Sequence, residues 1–299
     1  MLFKNAIFYK LTENVDFDKV EEQLAQYKSS PPGRHSIESI GFSPVFQDSD
    51  ELAHVVKGDI TFCLKKYKKS IPEALKKELL AEKIKRIEQK TGESVPKAMR
   101  NQLKQEVINH LAEQIPASPT YIFFTFLSKH NLIVVNATAF NNAELCLAML
   151  RKALGSLPVE PLIKASLAHT LTHWCFDKAP KNMDFKDKGK LFSLNEEKSE
   201  ISFKRETLDA DELITSKESG KLVKEIEFEY DEKFSATISE DGKLRAIKLS
   251  DMCLDDYYAI PKDSVAAAFD CSRVIMNETL SEFVTFLEKE LANMGLGIS

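Results

Sequence analysis

The sequence lacks the glycine-rich loops that hold nucleotide phosphates. Its two Gly-Lys pairs, Gly189-Lys190 and Gly220-Lys221, have neither the upstream glycine nor the following Ser or Thr of a Walker A motif. No GxGxxG motif occurs in the 299 residues. ATP- or NAD-driven chemistry is therefore not expected, and the sequence predicts no cofactor.

Signatures of catalysis are missing as well. There is no GxSxG nucleophile motif. His169 and His173 can share a helical face, but Thr170 stands where a zinc protease has glutamate, and no third ligand has suitable spacing. The sequence therefore predicts neither a metal site nor an enzyme. A hydrolase assembled from distant residues stays an alternative, with His54, His110 and the His169/His173 pair as its centre.

Long apolar runs and paired cysteines are absent too. No stretch of about eighteen apolar residues occurs, and the N-terminus has neither the apolar run nor the cleavage site of a signal peptide. The five cysteines are odd in number, widely spaced and without a CxxC pair, which is typical of buried free thiols. We therefore expect a cytoplasmic protein that does not cross a membrane.

Positive charge is concentrated in one part of an acidic chain. The net charge is −5, yet residues 65–106 contain 13 Lys and Arg against 6 Glu. Such asymmetry is typical of a polyanion-binding site on an otherwise acidic protein. A pair of lysine-rich helices exposed to solvent is the alternative reading of the same charges.

The apolar patterns predict an α+β fold. Two amphipathic helices, about Glu73 to Lys90 and a second from near Val95, form a hairpin between strand-rich segments. Alternating residues from Val223 to Tyr230 and the Asp241-Gly242 turn predict a further strand region. The predicted division is a mixed strand-helix core of 1–70 and 118–178, an inserted helical hairpin of 71–117, and a second α+β region of 179–299. The residues predicted to cap helices are Asp16, Ser94, Asn141 or Asn142, and Asn277.

The basic residues of the hairpin are spaced to follow phosphates. Lys97, Arg100 and Lys104 fall on one face of the second helix, roughly opposite part of its apolar stripe. Contacts of this kind give affinity without reading sequence. No recognition helix, RNP-like strand or zinc finger accompanies them. A second basic set lies in the C-terminal strands.

Over essentially its full length the chain resembles the RdgC family of recombination-associated proteins. None of the shared stretches is a catalytic signature, and their joint order and spacing carry the resemblance. They are MLFKN at 1–5, DELAHV at 50–55 with Gly58 and Cys63, LRKALGSLPV at 150–159 with Pro161-Leu162, LTHW at 171–174, GKLV at 220–223 and DGKLR at 241–245.

The resemblance implies a ring-shaped homodimer with a positively charged central hole through which double-stranded DNA passes without sequence preference. Single-stranded DNA is a further expected ligand. It also implies association with the nucleoid and antagonism of RecA, which would lose access to DNA. The predicted phosphate contacts are Lys76, Lys77, Lys83, Arg86, Lys97, Arg100 and Lys104 on the hairpin, and Lys204, Arg205, Lys221, Lys224, Lys243 and Arg245 in the C-terminal strands.

The chain departs from the family pattern after the hairpin. A relative has a phenylalanine there that could wedge between DNA strands, whereas this chain has Ile115 and Pro116 and no aromatic residue before Tyr121. The dimer interfaces are open, with the apolar faces of the hairpin and of the last helix as candidates. A second reading is a regulator that binds RecA or another protein directly through the acidic strand at Glu225, Glu227 and Glu229.

Overall fold

A computed structural model describes residues 2–46, 49–194, 199–261 and 265–295. These residues form twelve strands and eight α-helices, which confirms the α+β class. The elements are β1 (Asn5–Leu11), α1 (Val20–Ala25), β2 (Glu38–Ser43), β3 (Ala53–Val56), β4 (Asp59–Lys68), α2 (Glu73–Thr91), α3 (Lys97–Gln114), β5 (Ser118–Leu127), β6 (Leu132–Val135), α4 (Phe140–Leu154), β7 (Val159–Pro161), α5 (Ala168–Phe176), β8 (Met183–Phe192), β9 (Glu200–Lys204), α6 (Asp211–Glu218), β10 (Leu222–Tyr230), β11 (Phe234–Ser239), β12 (Leu244–Leu249), α7 (Asp251–Tyr258) and α8 (Val265–Asn293).

The strands form one antiparallel sheet in the order β2-β4-β5-β6-β1-β12-β11-β10-β8-β9, with β3 paired to β4 and β7 to β1. Strand β1 joins the two halves of this sheet. Its first residues, Asn5 and Ala6, pair with β12, and the residues that follow pair with β6. The N-terminal and C-terminal halves of the chain therefore share one continuous hydrogen-bonded layer.

Two apolar cores lie on opposite faces of this sheet. On one face, α1 and α4 cover the N-terminal half, where Leu147 packs in the same core as Ile7 and Phe62. On the other face, α5 and α8 cover both halves, and Phe283 belongs to a core that also contains Phe228. The outer face of the C-terminal half carries no helix in the described part of the chain, so its polar side chains are open to solvent.

The helical hairpin is as predicted, with α2 ending at Gly92 in the left-handed conformation (φ 71°) that glycine tolerates best. Its two helices differ in burial. Helix α3 buries Leu103, Val107 and Leu111, whereas α2 has no fully buried residue. Helix α2 therefore packs mainly on α3 and leaves much of its own apolar stripe partly exposed.

Several predicted helix starts were wrong. Helix α1 begins at Val20, after a turn in which Asp16 accepts a hydrogen bond from the Asp18 backbone N–H. Helix α8 begins at Val265 and continues through Asn277, whose buried amide donates to Asp59 at 3.1 Å. In a sequence, an asparagine that hydrogen-bonds a neighbouring strand cannot be told apart from an asparagine that caps a helix.

The other two predicted caps are also not observed. Helix α4 begins at Phe140 with Ala139 as N-cap, so Asn141 and Asn142 lie inside its first turn. Helix α3 begins at Lys97 after Pro96, rather than being capped by Ser94. In both cases an extended residue precedes the helix without a side-chain cap.

Candidate nucleic-acid interface

Three predicted basic residues meet where α2 begins. The Lys76 ammonium group hydrogen-bonds the Glu73 carboxylate and lowers the pKa of Glu73 below its usual value, and the charges of Lys77 and Lys104 lower it further. Lys77 and Lys104 have no carboxylate within ion-pair distance in the described part of the chain. This root cluster, Lys76, Lys77 and Lys104, therefore keeps a net positive charge next to Glu73.

Further along the hairpin, basic side chains pair with acidic ones on the surface. Lys83 bridges the two helices by bonding Glu106 at 2.9 Å, and Arg86 bonds Glu82 at 2.6 Å. Arg100 donates to the Val95 carbonyl at 3.0 Å and lies 3.8 Å from Glu88, while Lys97 has no ion pair with a described residue. Exposed pairs contribute about 0–1 kcal/mol, so a phosphate can replace the carboxylate at small cost.

The C-terminal half carries a second basic surface on its open face. Lys204 and Arg245, both predicted, line one depression of about 410 Å³, and Lys188 and Lys190 of β8 line it too. Glu225 lies among them and pairs with Lys190 at 3.0 Å and with Arg245. Lys188 pairs with Glu227 beside the depression, whereas Lys204 has no carboxylate within ion-pair distance among the described residues. This C-terminal depression therefore keeps a net positive charge.

Gly189 makes the floor of the depression. A side chain at that position would meet the Phe203 ring and the Glu225 carbonyl at 2.7 Å. The absence of a side chain therefore lets Phe203 and Ile226 pack against this strand on its core face, opposite the flanking lysines Lys188 and Lys190. Sequence reasoning missed these two lysines because the strand MDFKDKGKLF has neither β-branched residues nor a regular apolar alternation.

The remaining predicted contacts are dispersed. Lys224 pairs with Glu200, and Lys243 bonds Asp241 at 2.6 Å while lying 4.6 Å above the Phe140 ring. Arg205 follows β9 with a left-handed backbone (φ 61°), and Lys221 precedes β10. These residues do not line the C-terminal depression.

The acidic strand β10 is matched by a basic strand. Glu225, Glu227 and Glu229 lie 3.0, 3.4 and 2.9 Å from Lys190, Lys188 and Lys186 of β8, in that order. Each of the three carboxylates therefore forms an ion pair with a lysine of the neighbouring strand. The charge that suggested a protein-binding acidic strand is largely compensated within the sheet.

The histidines of the hydrolase alternative lie on separate elements. His54 on β3 contacts Asp270 at 2.7 Å and Glu51 at 3.3 Å. His110 on α3 contacts Gln114, and His173 on α5 contacts Asp177. Within the described ranges, no three His, Cys, Asp or Glu side chains are grouped so that they could hold a metal ion.

The segment between α3 and β5 presents little apolar surface. Ile115 is half-buried and Pro116 is exposed. The large exposed side chain of this region is Tyr121, on β5 itself, with 48% of its surface accessible. Across the described ranges, no helix has the length and apolar character needed to span a membrane.

Comparison with known proteins gives matches along the whole chain. A family model described as "Putative exonuclease, RdgC" matches residues 1–294. The recombination-associated protein RdgC of Pseudoalteromonas atlantica is 32% identical over 286 residues, which is 95% of each chain. The protein of the same name from Yersinia pestis strain Pestoides F is 32% identical over 294 residues, 97% of each chain.

Proposed function

The chain belongs to the RdgC family of recombination-associated proteins, and on this premise we propose that it binds double-stranded DNA without sequence preference and has no enzymatic activity. It encircles the duplex as a homodimer and limits the access of RecA to the DNA, in the cytoplasm and on the nucleoid. The observation that carries the proposal is the pair of basic surfaces, the root cluster and the C-terminal depression.

Both surfaces suit phosphate rather than bases. Their cations are lysine and arginine on exposed helix and strand faces, and Lys77, Lys97 and Lys104 are free of ion pairs with described residues. Neutralising phosphates releases counterions from DNA, which makes affinity dependent on salt and indifferent to sequence.

The homodimer is supported by partly exposed apolar side chains on both helices of the hairpin. Leu75 and Met99 are 38% and 39% exposed, on a hairpin that extends from the ends of β4 and β5. Apolar side chains left open on a projecting element are typical of a contact with a second copy.

The test measures duplex binding by fluorescence anisotropy at several salt concentrations. We expect duplexes of unrelated sequence to bind within about threefold of one another, with an affinity that falls steeply with salt. The triple variant Lys97→Glu, Arg100→Glu, Lys104→Glu should lose at least about tenfold in affinity for every sequence.

The matched control reverses three exposed lysines elsewhere: Lys19, Lys28 and Lys129. It changes the net charge equally and should keep most of the affinity. Equal losses in both variants would mean that total charge, rather than the hairpin, governs binding.

The absence of enzymatic activity is tested separately, because the family description contains the word exonuclease. End-labelled linear duplex and single strands are incubated with the protein and Mg²⁺ or Mn²⁺. We expect no shortening of the labelled strand. Progressive shortening that follows the protein through purification would overturn this part of the proposal.

A further inference from the structure

A cluster of two tyrosines and a lysine lies on the sheet where the hairpin begins. In the antiparallel pairing of β4 with β5, Lys65 lies opposite Tyr121 and Tyr67 opposite Pro119. Tyr67 and Tyr121 are therefore diagonal neighbours on one face, on either side of Lys65. The Lys65 Nζ atom is 4.8 Å from the centre of the Tyr67 ring and 5.3 Å from that of Tyr121.

The cluster is open to solvent although its strands are otherwise buried. Tyr121 is 48% exposed, whereas residues 122–127 of the same strand are all buried. Lys65 and Tyr67 are half-buried, and the neighbouring Pro119 is exposed. Packing in the core does not account for two aromatic rings here, because each keeps part of its surface accessible.

The charge of the cluster is positive and uncompensated. Lys65 has no carboxylate within ion-pair distance in the described ranges. Hydrogen bonding to Tyr67, and less strongly to Tyr121, raises the pKa of Lys65 above its ordinary value. The lysine therefore carries a positive charge at neutral pH, over two rings that are each partly exposed.

Aromatic rings with an adjacent cation suit unpaired nucleobases. Bases of a single strand stack on exposed rings, and the lysine attracts the accompanying phosphate. In a duplex the base faces are already stacked inside the helix, so they cannot reach rings on a flat sheet. A ligand of the cluster therefore has unpaired bases.

We propose that Lys65, Tyr67 and Tyr121 form a stacking platform for the unpaired bases of single-stranded DNA, separate from the surfaces that bind duplex phosphates. This inference rests on the proposed function, because the root cluster on α2 and α3 would hold the adjoining phosphate backbone. Tyr67 precedes the first residue of α2 by six residues in the chain. The platform would let the protein hold a duplex next to a single-stranded segment.

The test compares ligands on the full-length protein. The variant Tyr67→Ala, Tyr121→Ala should bind a 20-nucleotide oligothymidine about tenfold or more weakly, because stacking on aromatic residues contributes strongly per base. Its affinity for a duplex should stay within about twofold of the wild type. An oligonucleotide with abasic sites in place of bases should bind the wild type and the variant equally.

Two controls separate stacking from folding and from general aromatic content. Tyr67→Phe, Tyr121→Phe keeps the rings and should keep the affinity for oligothymidine. Tyr258→Ala removes a tyrosine that is 62% exposed on α7 and should change nothing. Unaltered duplex binding by the alanine variant reports that it folds.

The outcomes distinguish this inference from the proposed function. If the wild type binds no DNA, both fail. If it binds duplex but not oligothymidine, or if the double alanine variant binds oligothymidine as tightly as the wild type, only the platform is overturned. Equal weakening on duplex and oligothymidine would also overturn it, because the tyrosines would then act on phosphate binding in general.

Discussion

At the scale of single residues, one lysine of the basic stretch has a structural role. Lys69 is 7% exposed, and its ammonium group donates to the carbonyl oxygens of Gly33, Arg34 and Ala112 at 3.1, 3.0 and 2.7 Å. It therefore ties the last turn of α3 to the loop before β2. Charge in a sequence does not distinguish this lysine from its exposed neighbours.

Lys69→Met should destabilise the protein by about 2–3 kcal/mol, because it removes charge-assisted hydrogen bonds and leaves buried carbonyl groups unpaired. Urea unfolding measures the change in the free energy of unfolding. The neighbouring Lys68→Met alters an exposed side chain and should change stability by less than about 0.5 kcal/mol. Similar effects of the two substitutions would contradict the structural role of Lys69.

The cysteines differ in reactivity for a physical reason. Burial raises the pKa of the Cys63 thiol to about 12 and also raises those of Cys146 and Cys175. The thiolate is the reactive form, so a raised pKa delays its appearance as pH rises. Cys253 is only half-buried.

Iodoacetamide should therefore label Cys253 well before the fully buried Cys63 and Cys146 in the native protein. Raising the pH from about 7 to 9 should leave Cys63 almost unmodified, since its pKa in the folded protein lies above that range. Peptide mass spectrometry identifies the labelled positions. Rapid native labelling of Cys63 would contradict its burial between the sheet and the helices.

At the scale of elements, residue periodicity predicted those helices and strands whose apolar pattern lies within a single segment. The hairpin helices and the alternation of β10 follow from spacing that a single segment contains. Strands β8 and β9 escaped prediction because their residues are mostly charged or polar and form strands through pairing with β10. The start of α8 was misplaced because burial of Asn277 against Asp59 depends on tertiary contact.

For the candidate site, the sequence identified basic residues but not which of them lie together. Lys204 and Arg245 were identified as basic residues, but their meeting with Lys188 and Lys190 depends on the pairing of distant strands. The opposite holds for Glu225, which looked available for a partner until the sheet placed basic residues beside it. Charge can be counted in a sequence, whereas its compensation requires the fold.

The hairpin should take part in self-association. Leu75→Glu with Met99→Glu alters exposed apolar side chains, so it should lower the free energy of unfolding by less than about 1 kcal/mol. It should weaken dimerisation at least about tenfold, because charge would then be buried in the contact. Sedimentation equilibrium measures the dissociation constant.

Val55→Glu is the control, since Val55 is 59% exposed on β3 away from the hairpin. It should leave dimerisation unchanged. A hairpin variant that dimerises as tightly as the wild type would place the interface elsewhere.

At the scale of the whole molecule, one sheet connects the elements that carry the two basic surfaces. Strand β1 links the N-terminal half, from which the hairpin extends, to the C-terminal half with its open basic face. Since the surfaces share no described side chain, their contributions to DNA affinity should be nearly additive.

Lys188→Glu with Lys204→Glu should weaken duplex binding for all sequences and reduce the slope of log affinity against log salt by about two. Combined with the hairpin triple variant, the losses in binding free energy should add within about 0.5 kcal/mol. Anisotropy titrations at four salt concentrations give both quantities. An unchanged slope would exclude the C-terminal depression from the DNA contact.

Encirclement of DNA by a homodimer is the central claim, and a topological assay tests it most directly. The protein is loaded at low salt on closed circular DNA and on the same DNA linearised, and both are then challenged with about 1 M salt, which screens phosphate contacts. A ring around the duplex predicts retention on the circle and loss from the free ends of the linear form. Equal dissociation from both would contradict encirclement and leave only surface binding.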